Sequence, residues 1–310
     1  MKPNDVLGLS ELAGKLFGKR FIWSMAVYAL DAGFVPGSPL GAPHMVFDTK
    51  HIDLSGTSPH ARGDPFLFVH GDRMYIFYEI ERRGRRGEIA ALRTSDLKQF
   101  EDLGVVLRAP FHLSFPFVFQ DRSSIYMLPE NEYGDDLVLY GFDAFPFGAK
   151  KVRVLLKGGY ADSHLLKHMD RWFLFTTLGD GFCAYVAEDL LTGEFSPHPA
   201  NPITRDPKIS RSAGATIRLE GRLYRVAQDC SDTYGKNVSL IEITELSPVA
   251  YRERVTVKEL FALDASWKSE GAHHLSICQF LGKTILATDG KQVDYFANRI
   301  SALWRRHRNS

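Results

Sequence analysis

Gly63-Asp-Pro-Phe-Leu-Phe-Val-His-Gly-Asp-Arg-Met-Tyr-Ile-Phe-Tyr-Glu79 reads as a single β-hairpin. Asp64 opens an apolar run, Gly71-Asp72 supplies the turn, and Tyr75 and Phe77 alternate along the returning strand. The same frame returns four more times, starting from Phe115, Asp162, Ala213 and His274. Four residues after each start stand Phe68, Phe119, Leu166, Ile217 and Cys278; eleven after stand Tyr75, Tyr126, Phe173, Tyr224 and Ile285. The turns between them are Gly71-Asp72, Asp121-Arg122, Met169-Asp170, Glu220-Gly221 and Leu281-Gly282. Hairpin units recurring about every 50 residues mark a β-propeller. The chain is therefore expected to be all-β, a five-bladed β-propeller.

Working outward, Glu88-Ile-Ala-Ala-Leu-Arg93 and Gly104-Val-Val-Leu107 continue the first blade. The turn Thr94 to Phe100 has a cousin at Ala187 to Phe195 in the third, a second and independent repeat. The fifth unit has only Val293-Asp-Tyr-Phe296 after its hairpin and is one strand short. Phe21 to Tyr28, rich in aromatic and β-branched residues, can supply that strand and close the ring, which removes an exposed sheet edge. Residues 1–20 have Val6, Leu7, Leu9, Leu12, Ala13, Leu16 and Phe17 largely on one face and read as a short amphipathic N-terminal helix. A Gly/Pro-rich irregular segment runs from Gly33 to about Arg62. The expected organisation is a helix at 1–20, a propeller at 21–297 and a basic tail at 298–310.

The 310 residues suit one large all-β domain, and 45% hydrophobic and 12% aromatic content suffices for its sheet core. A formal net charge of +1 supplies no field for nucleic acid, which is not expected as a partner. Cys183, Cys230 and Cys278 are odd in number and sit in apolar strands, as buried free thiols of a reducing compartment do. No secretory leader precedes the first strand, and the apolar run Phe21 to Leu30 is too short to span a bilayer. A soluble, cytoplasmic protein is expected. Arg299, Arg305, Arg306, His307 and Arg308 accompany Ile300, Leu303 and Trp304 in the tail. That tail reads either as solvated and docked by Trp304 or as a basic segment making peripheral contact with anionic lipid at the inner membrane face.

A residue fifteen positions after the start of a hairpin has crossed the turn and returned to the same end. This pairs Asp64 with Glu79, Phe115 with Glu130, Asp162 with Thr177, Ala213 with Gln228 and His274 with Asp289 at one rim. His112, Arg211, Asp229 and His273 flank these positions. Acids, amides and an Arg can hold sugar hydroxyls, and rings such as Phe111, Phe115 and Tyr160 can cover a sugar face. Paired carboxyls can also break a glycosidic bond, one as acid and one as base or nucleophile. Asp64 and Asp162, on non-adjacent blades, are the candidate catalytic pair; Glu79, Glu130, Arg211, Gln228, Asp229, His273, His274, His112 and Phe115 are candidate substrate-binding residues. Neighbouring strand residues point to opposite faces, so one of His273 and His274 is expected to face the channel. No cofactor and no metal are expected.

Gly63-Asp-Pro-Phe-Leu67 with Tyr75-Ile-Phe-Tyr-Glu79 resembles the opening blade of five-bladed glycosidases of the arabinanase, xylosidase and invertase type. That resemblance implies an Asp at this point acting as base or nucleophile. The chain more closely resembles the N-terminal domain family of glucosamine inositolphosphorylceramide transferase and its stand-alone bacterial relatives. Phe111-His-Leu-Ser-Phe-Pro-Phe117, Pro129-Glu130, Ala161-Asp-Ser-His164, Arg171-Trp-Phe-Leu174, Ser212-Ala-Gly214, Ala227-Gln-Asp-Cys230, Ile241 to Leu246 and Ala272-His-His274 carry it. Against the glycosidase pattern, Phe115 stands where an acid-tuning Asp is usual and Asp162 where the acid is a Glu. The implied function is a glycan-active enzyme, hydrolysing or transferring a sugar in cell-envelope polysaccharide or glycolipid metabolism. The competing expectation is a non-catalytic carbohydrate-binding or scaffold propeller working beside a glycosyltransferase.

Overall fold

In a computed structural model, residues 20–49, 59–82, 85–132 and 136–294 are described. Each of the five hairpin frames begins its own antiparallel sheet, and the five sheets are the blades of the propeller. Blade 1 is Pro59–His70, Arg73–Arg82, Glu88–Thr94 and Glu101–Leu107; blade 2 is His112–Asp121, Ser124–Glu132, Asp136–Ala144 and Phe147–Lys157. Blade 3 is Ala161–His168, Arg171–Leu178, Gly181–Ala187 and the short Ser196–Pro197. Blade 4 has its inner strand in two pieces, Arg211–Ser212 and Ile217–Leu219, followed by Arg222–Asp229, Asn237–Leu246 and Tyr251–Val257. Two-residue turns join the first two strands of each blade, with positive φ at Gly71, Arg122, Met169, Glu220 and Leu281. Such turns match the right-handed twist of the strands they connect.

Blade 5 closes the ring, with more help from the N-terminal side than one strand. Its order is Met45–Phe47, Arg20–Leu30, Lys283–Asp294, Ser276–Phe280. Arg20–Leu30 pairs along its whole length, from Arg20 opposite Asp294 to Leu30 opposite Thr284. Val293 and Asp294 are the end of one long strand rather than the start of a third, because the ladder to Arg20 and Phe21 runs on without a turn. Met45–Phe47 and the first residues of Pro59–His70 lie in the stretch read as irregular; their strand character comes from pairing with Met25–Val27 and with Ile80–Arg82. Arg20, read as the end of a helix, is a strand residue. The remainder of that helix, residues 1–19, and the basic tail at 298–310 lie outside the described residues. Among the described residues no helix is long and apolar enough to cross a membrane.

Apolar residues fill the five seams between neighbouring blades. Met25, Val27, Met74 and Ile76 pack between blades 5 and 1; Tyr75, Phe77, Val118 and Met127 between 1 and 2; Phe117, Leu128, Trp172 and Leu174 between 2 and 3. Phe173, Phe182, Leu223 and Ile243 lie between 3 and 4, and Ala26, Tyr28, Val226 and Leu240 between 4 and 5. The seam between blades 3 and 4 also holds a charge. Arg225 is 0% exposed. It donates to both oxygens of Glu253 at 2.5 and 2.7 Å and to the Ile209 carbonyl at 2.7 Å, with its guanidinium 4.4 Å from the Phe182 ring. Removing one partner of a buried pair strands the other in a medium that solvates it poorly. Arg225→Met is expected to lower unfolding stability by about 3–5 kcal/mol, read from urea denaturation; a change under about 1 kcal/mol would show that Glu253 is hydrated without Arg225.

Candidate functional site

The site grows from a defect shared by three blades. Antiparallel register slips between Gly63 and Phe66, between Ser114 and Phe117, and between Ala161 and His164. At each slip one residue adopts left-handed backbone: Asp64 (φ 51°), Phe115 (φ 45°) and Asp162 (φ 49°). For a residue with a side chain that conformation costs about 1–3 kcal/mol, so each bulge must be held by something. The bulge turns a backbone N–H out of its own ladder, and each N–H finds a carboxylate. Asp64 N–H donates to Asp289 at 3.0 Å, Phe115 N–H to Asp64 at 3.1 Å, and Asp162 N–H to Glu130 at 2.8 Å. His273 N–H donates to the second oxygen of Asp289 at 2.9 Å. Arg211 Nε then reaches Asp162 at 2.5 Å. Blade 5 is thus tied to blade 1, 1 to 2, 2 to 3, and 3 to 4, all at one mouth.

Asp64 is at the centre of this set and is 6% exposed. His273 Nε2 and His274 Nδ1 both lie 3.6 Å from its Oδ1. Both histidines face the acid because residues 272–275 are not in a strand; the inner strand of blade 5 starts only at Ser276, so side-chain alternation does not apply. His273 Nδ1 contacts Asp289 at 2.6 Å. His274 is 0% exposed, its ring edge-on to Phe66 and Phe115 at 4.5 and 5.6 Å, and neither ring nitrogen has a hydrogen-bond partner.

The electrostatics follow from burial and from this pairing. Burial pushes Asp64 up; His273 opposes this, while Asp162, Asp289 and Glu79 add to it, and the carboxyl titrates at about 8. Burial disfavours the charged His273, but Asp289, through charge and hydrogen bond, and then Asp64 and Asp162 lift it to about 9. Asp289 is the reverse: burial raises it, and His273 more than compensates, holding it below the ordinary carboxylate range. Burial and then Asp162 hold Glu130 well above the ordinary value, Arg211 opposing. Burial takes His274 down to about 3. The mouth thus sets two close charge contacts, His273–Asp289 and Arg211–Asp162, beside an Asp64 that keeps its proton near neutral pH and a Glu130 whose carboxyl burial biases towards the neutral form.

Asp64, His273 and Asp289 also bring one donor atom each within 4.8 Å of one another, an arrangement that suits a small cation. In the described arrangement the imidazolium–carboxylate contact holds the cluster together, so a cation would have to displace the His273 proton.

The other expected ligand residues divide. Glu79 and His112 stand at the rim, paired at 2.9 Å, with His112 Nδ1 accepting from Gly87 N–H. Gln228 and Asp229 turn to the protein: Gln228 donates to the Ser212 carbonyl and Asp229 accepts from Ser231 N–H. Phe115 is 1% exposed, with its ring 4.9 Å from Phe66, so it is a floor beneath the acids and not a face for a sugar. Tyr160 packs edge-on to Tyr185. Two residues that the sequence reading passed over are at the mouth: Trp23, 4.2 Å from the His273 ring, and Tyr234, 5.2 Å from both His273 and the Arg211 guanidinium. The Phe21-to-Tyr28 strand pointed to Trp23 only through ring closure; nothing in the repeat pointed to Tyr234.

Residues 38–291 match the family described as glucosamine inositolphosphorylceramide transferase 1, N-terminal. The chain belongs to that family. It is 35% identical over 259 residues to glucosamine inositolphosphorylceramide transferase 1 of Arabidopsis thaliana, covering 77% of this chain and 33% of the relative. The chain thus spans about a third of the length of the curated relatives it matches. Among solved structures it resembles Zg3597, a family 117 glycoside hydrolase of Zobellia galactanivorans, with TM-score 0.53 and 13% identity, covering 90% of this chain and 91% of that one. It also resembles the α-L-arabinofuranosidase PaAbf62A of Podospora anserina, with TM-score 0.56 and 12% identity over 77% and 93%. At such identities the structures speak for the fold they share, the five-bladed propeller.

The two adjacent histidines should titrate far apart. In an NMR titration the His273 ring is expected to change state near pH 9 and the His274 ring to stay neutral down to about pH 4. A pKa raised on folding stabilises below the unfolded value of about 6.5 and is lost as pH rises through the folded value. Melting temperature should accordingly fall between about pH 6.5 and 9. Parallel titration of both rings near 6.5 would contradict the buried pairing.

Proposed function

We propose that this propeller is a glycan-active enzyme that cleaves or transfers a glycosidic bond, with Asp64 and Asp162 as its carboxyl pair. The observation that carries this reading is the unlike surroundings of the two acids: Asp64 is buried beneath His273 and His274 with the Phe115 amide on its carboxyl, while Asp162 lies 2.5 Å from Arg211 Nε. Burial accordingly pushes Asp64 up to about 8. A protonated carboxyl can donate to the departing glycosidic oxygen. A carboxylate can offset the positive charge that builds on the anomeric carbon, or activate the acceptor hydroxyl. The resemblance to propeller glycosidases implied a base at Asp64; its burial among carboxylates favours the acid role here. Glu130, Arg211 and His273 border the pair and offer donors to sugar hydroxyls. The name of the plant relatives supports a glycolipid as the substrate class.

One observation favours a sugar-binding propeller without catalysis: the Phe115 ring stands where the glycosidase pattern has a third carboxylate. Turnover separates the two. Asp64→Asn is expected to reduce glycan turnover by about 10²–10⁴-fold with ligand affinity retained, and wild-type rate should fall as pH rises through about 8, when Asp64 loses its proton. Tight binding of a glycan with no turnover of it by wild type would leave the binding propeller standing and the enzyme reading refuted.

The route to a lipid substrate also has support. The paired strands run five residues past Met25 and Asp289 to Arg20 and Asp294, so the first and last described residues lie together on the mouth side. The basic residues Lys15, Lys19, Arg305, Arg306 and Arg308 follow from those ends in sequence. We assign them a peripheral contact with anionic lipid at the inner, cytoplasmic membrane face. Co-sedimentation with phosphatidylserine vesicles, weakened by Arg305→Gln, Arg306→Gln and Arg308→Gln together, is the expected result. Equal pelleting with neutral phosphatidylcholine vesicles would rule the contact out.

A further inference from the structure

The loop between Arg222–Asp229 and Asn237–Leu246 in blade 4 is clamped to blade 5 at several points. The ammonium of Lys291, a residue only 3% exposed, donates to Thr233 Oγ1 at 2.9 Å and to the Tyr234 carbonyl. Gly235 has positive φ and lies so close to blade 5 that a Cβ there would stand 2.8 Å from His273 and 2.9 Å from Trp23. Gly271 approaches from the other side, where an added Cβ would meet the Gly235 carbonyl at 2.1 Å. Asp229 closes the base of the loop, its carbonyl accepting from Lys236 N–H at 3.0 Å.

The residue this clamp presents is Tyr234. Its ring has the Arg211 guanidinium at 5.2 Å, His273 at 5.2 Å and Trp23 edge-on at 6.2 Å. Trp23 in turn lies against His273 at 4.2 Å. Surrounding protein and then Asp162 push the phenol up, with Arg211 opposing and Asp64 and Glu130 adding, as expected of a ring beside the acids of the mouth. Yet 46% of Tyr234 is accessible. A large aromatic held by a buried ammonium and two close glycine contacts, and still open to solvent beside the carboxyl pair, is poorly explained by packing alone.

We propose that Tyr234, braced by Trp23, is the platform on which a pyranose ring of the substrate stacks beside Asp64 and Asp162. This rests on the glycan reading above and narrows it to a cyclic sugar that presents a C–H face. Aromatic faces attract the slightly positive C–H groups of such a ring, and Arg211, His273 and Glu130 surround the place where its hydroxyls would project. Trp23 precedes the family-matched region, residues 38–291, so a strand outside that region contributes to the choice of ligand.

The test is saturation-transfer NMR on the full chain with methyl α- and β-glycopyranosides of glucose, glucosamine, galactose and mannose, and the matching open-chain alditols as controls. Ring C–H protons should receive the strongest saturation, and alditols should not bind. Tyr234→Ala should weaken pyranoside binding about 10-fold with an unchanged melting temperature, and Tyr234→Phe should stay within about threefold. Tyr234→Leu, which keeps bulk without a π face, should match the alanine variant and serves if that variant unfolds. Wild-type binding that Tyr234→Ala and Tyr234→Leu leave unchanged, or equal binding of alditols, overturns the platform alone. No binding of any pyranoside by wild type overturns the platform and the glycan reading together.

Discussion

A backbone amide turned out of its own sheet and given to the preceding blade's carboxylate is what the mouth depends on. Asp64, Phe115 and Asp162 each adopt left-handed backbone to make that donation. The strain is local, whereas the return is shared: the same bonds that hold the bulges fix how neighbouring blades meet. Phe115 contributes through both its parts: its amide anchors Asp64 and its ring packs against Phe66 beneath the acids.

Burial and pairing then divide the acids into two kinds. Burial pushes the Asp64 and Glu130 carboxyls up, whereas His273 holds Asp289 below the ordinary carboxylate range and Arg211 lies against Asp162. A carboxyl that keeps its proton beside salt-bridged carboxylates puts a proton donor and negative charge within one pocket. Asp64, His273 and Asp289 are also close enough to bind a cation were His273 deprotonated.

The architecture was legible because a hairpin writes itself twice into sequence, once as alternation and once as a turn. Counting brought Asp64 to Glu79 and Phe115 to Glu130, within one residue of the observed register, in which the bulges leave Gly63 opposite Glu79 and Ser114 opposite Glu130. What failed was whatever depended on leaving the regular ladder. His273 and His274 escape alternation because they precede their strand. Gln228 and Asp229 sit at the right end of the sheet but face backbone groups, Gln228 the Ser212 carbonyl of the broken inner strand and Asp229 the Ser231 amide of a loop whose shape no pattern announced. Met45–Phe47 forms a strand because Met25–Val27 lies beside it, and Trp23 reaches His273 because its strand pairs with Lys283–Asp294. The protonation states were beyond reach as well, since they arise from summed burial and charge rather than from residue type.

Ring closure has one more consequence. Trp23 comes from the first described strand, while His273, Asp289 and Lys291 come from the last part of the described chain, and they meet only when Arg20–Leu30 has zipped onto Lys283–Asp294. The pocket thus cannot be assembled before Lys283–Asp294 is available to pair with Arg20–Leu30, and a chain still lacking that strand has acids but no closed mouth.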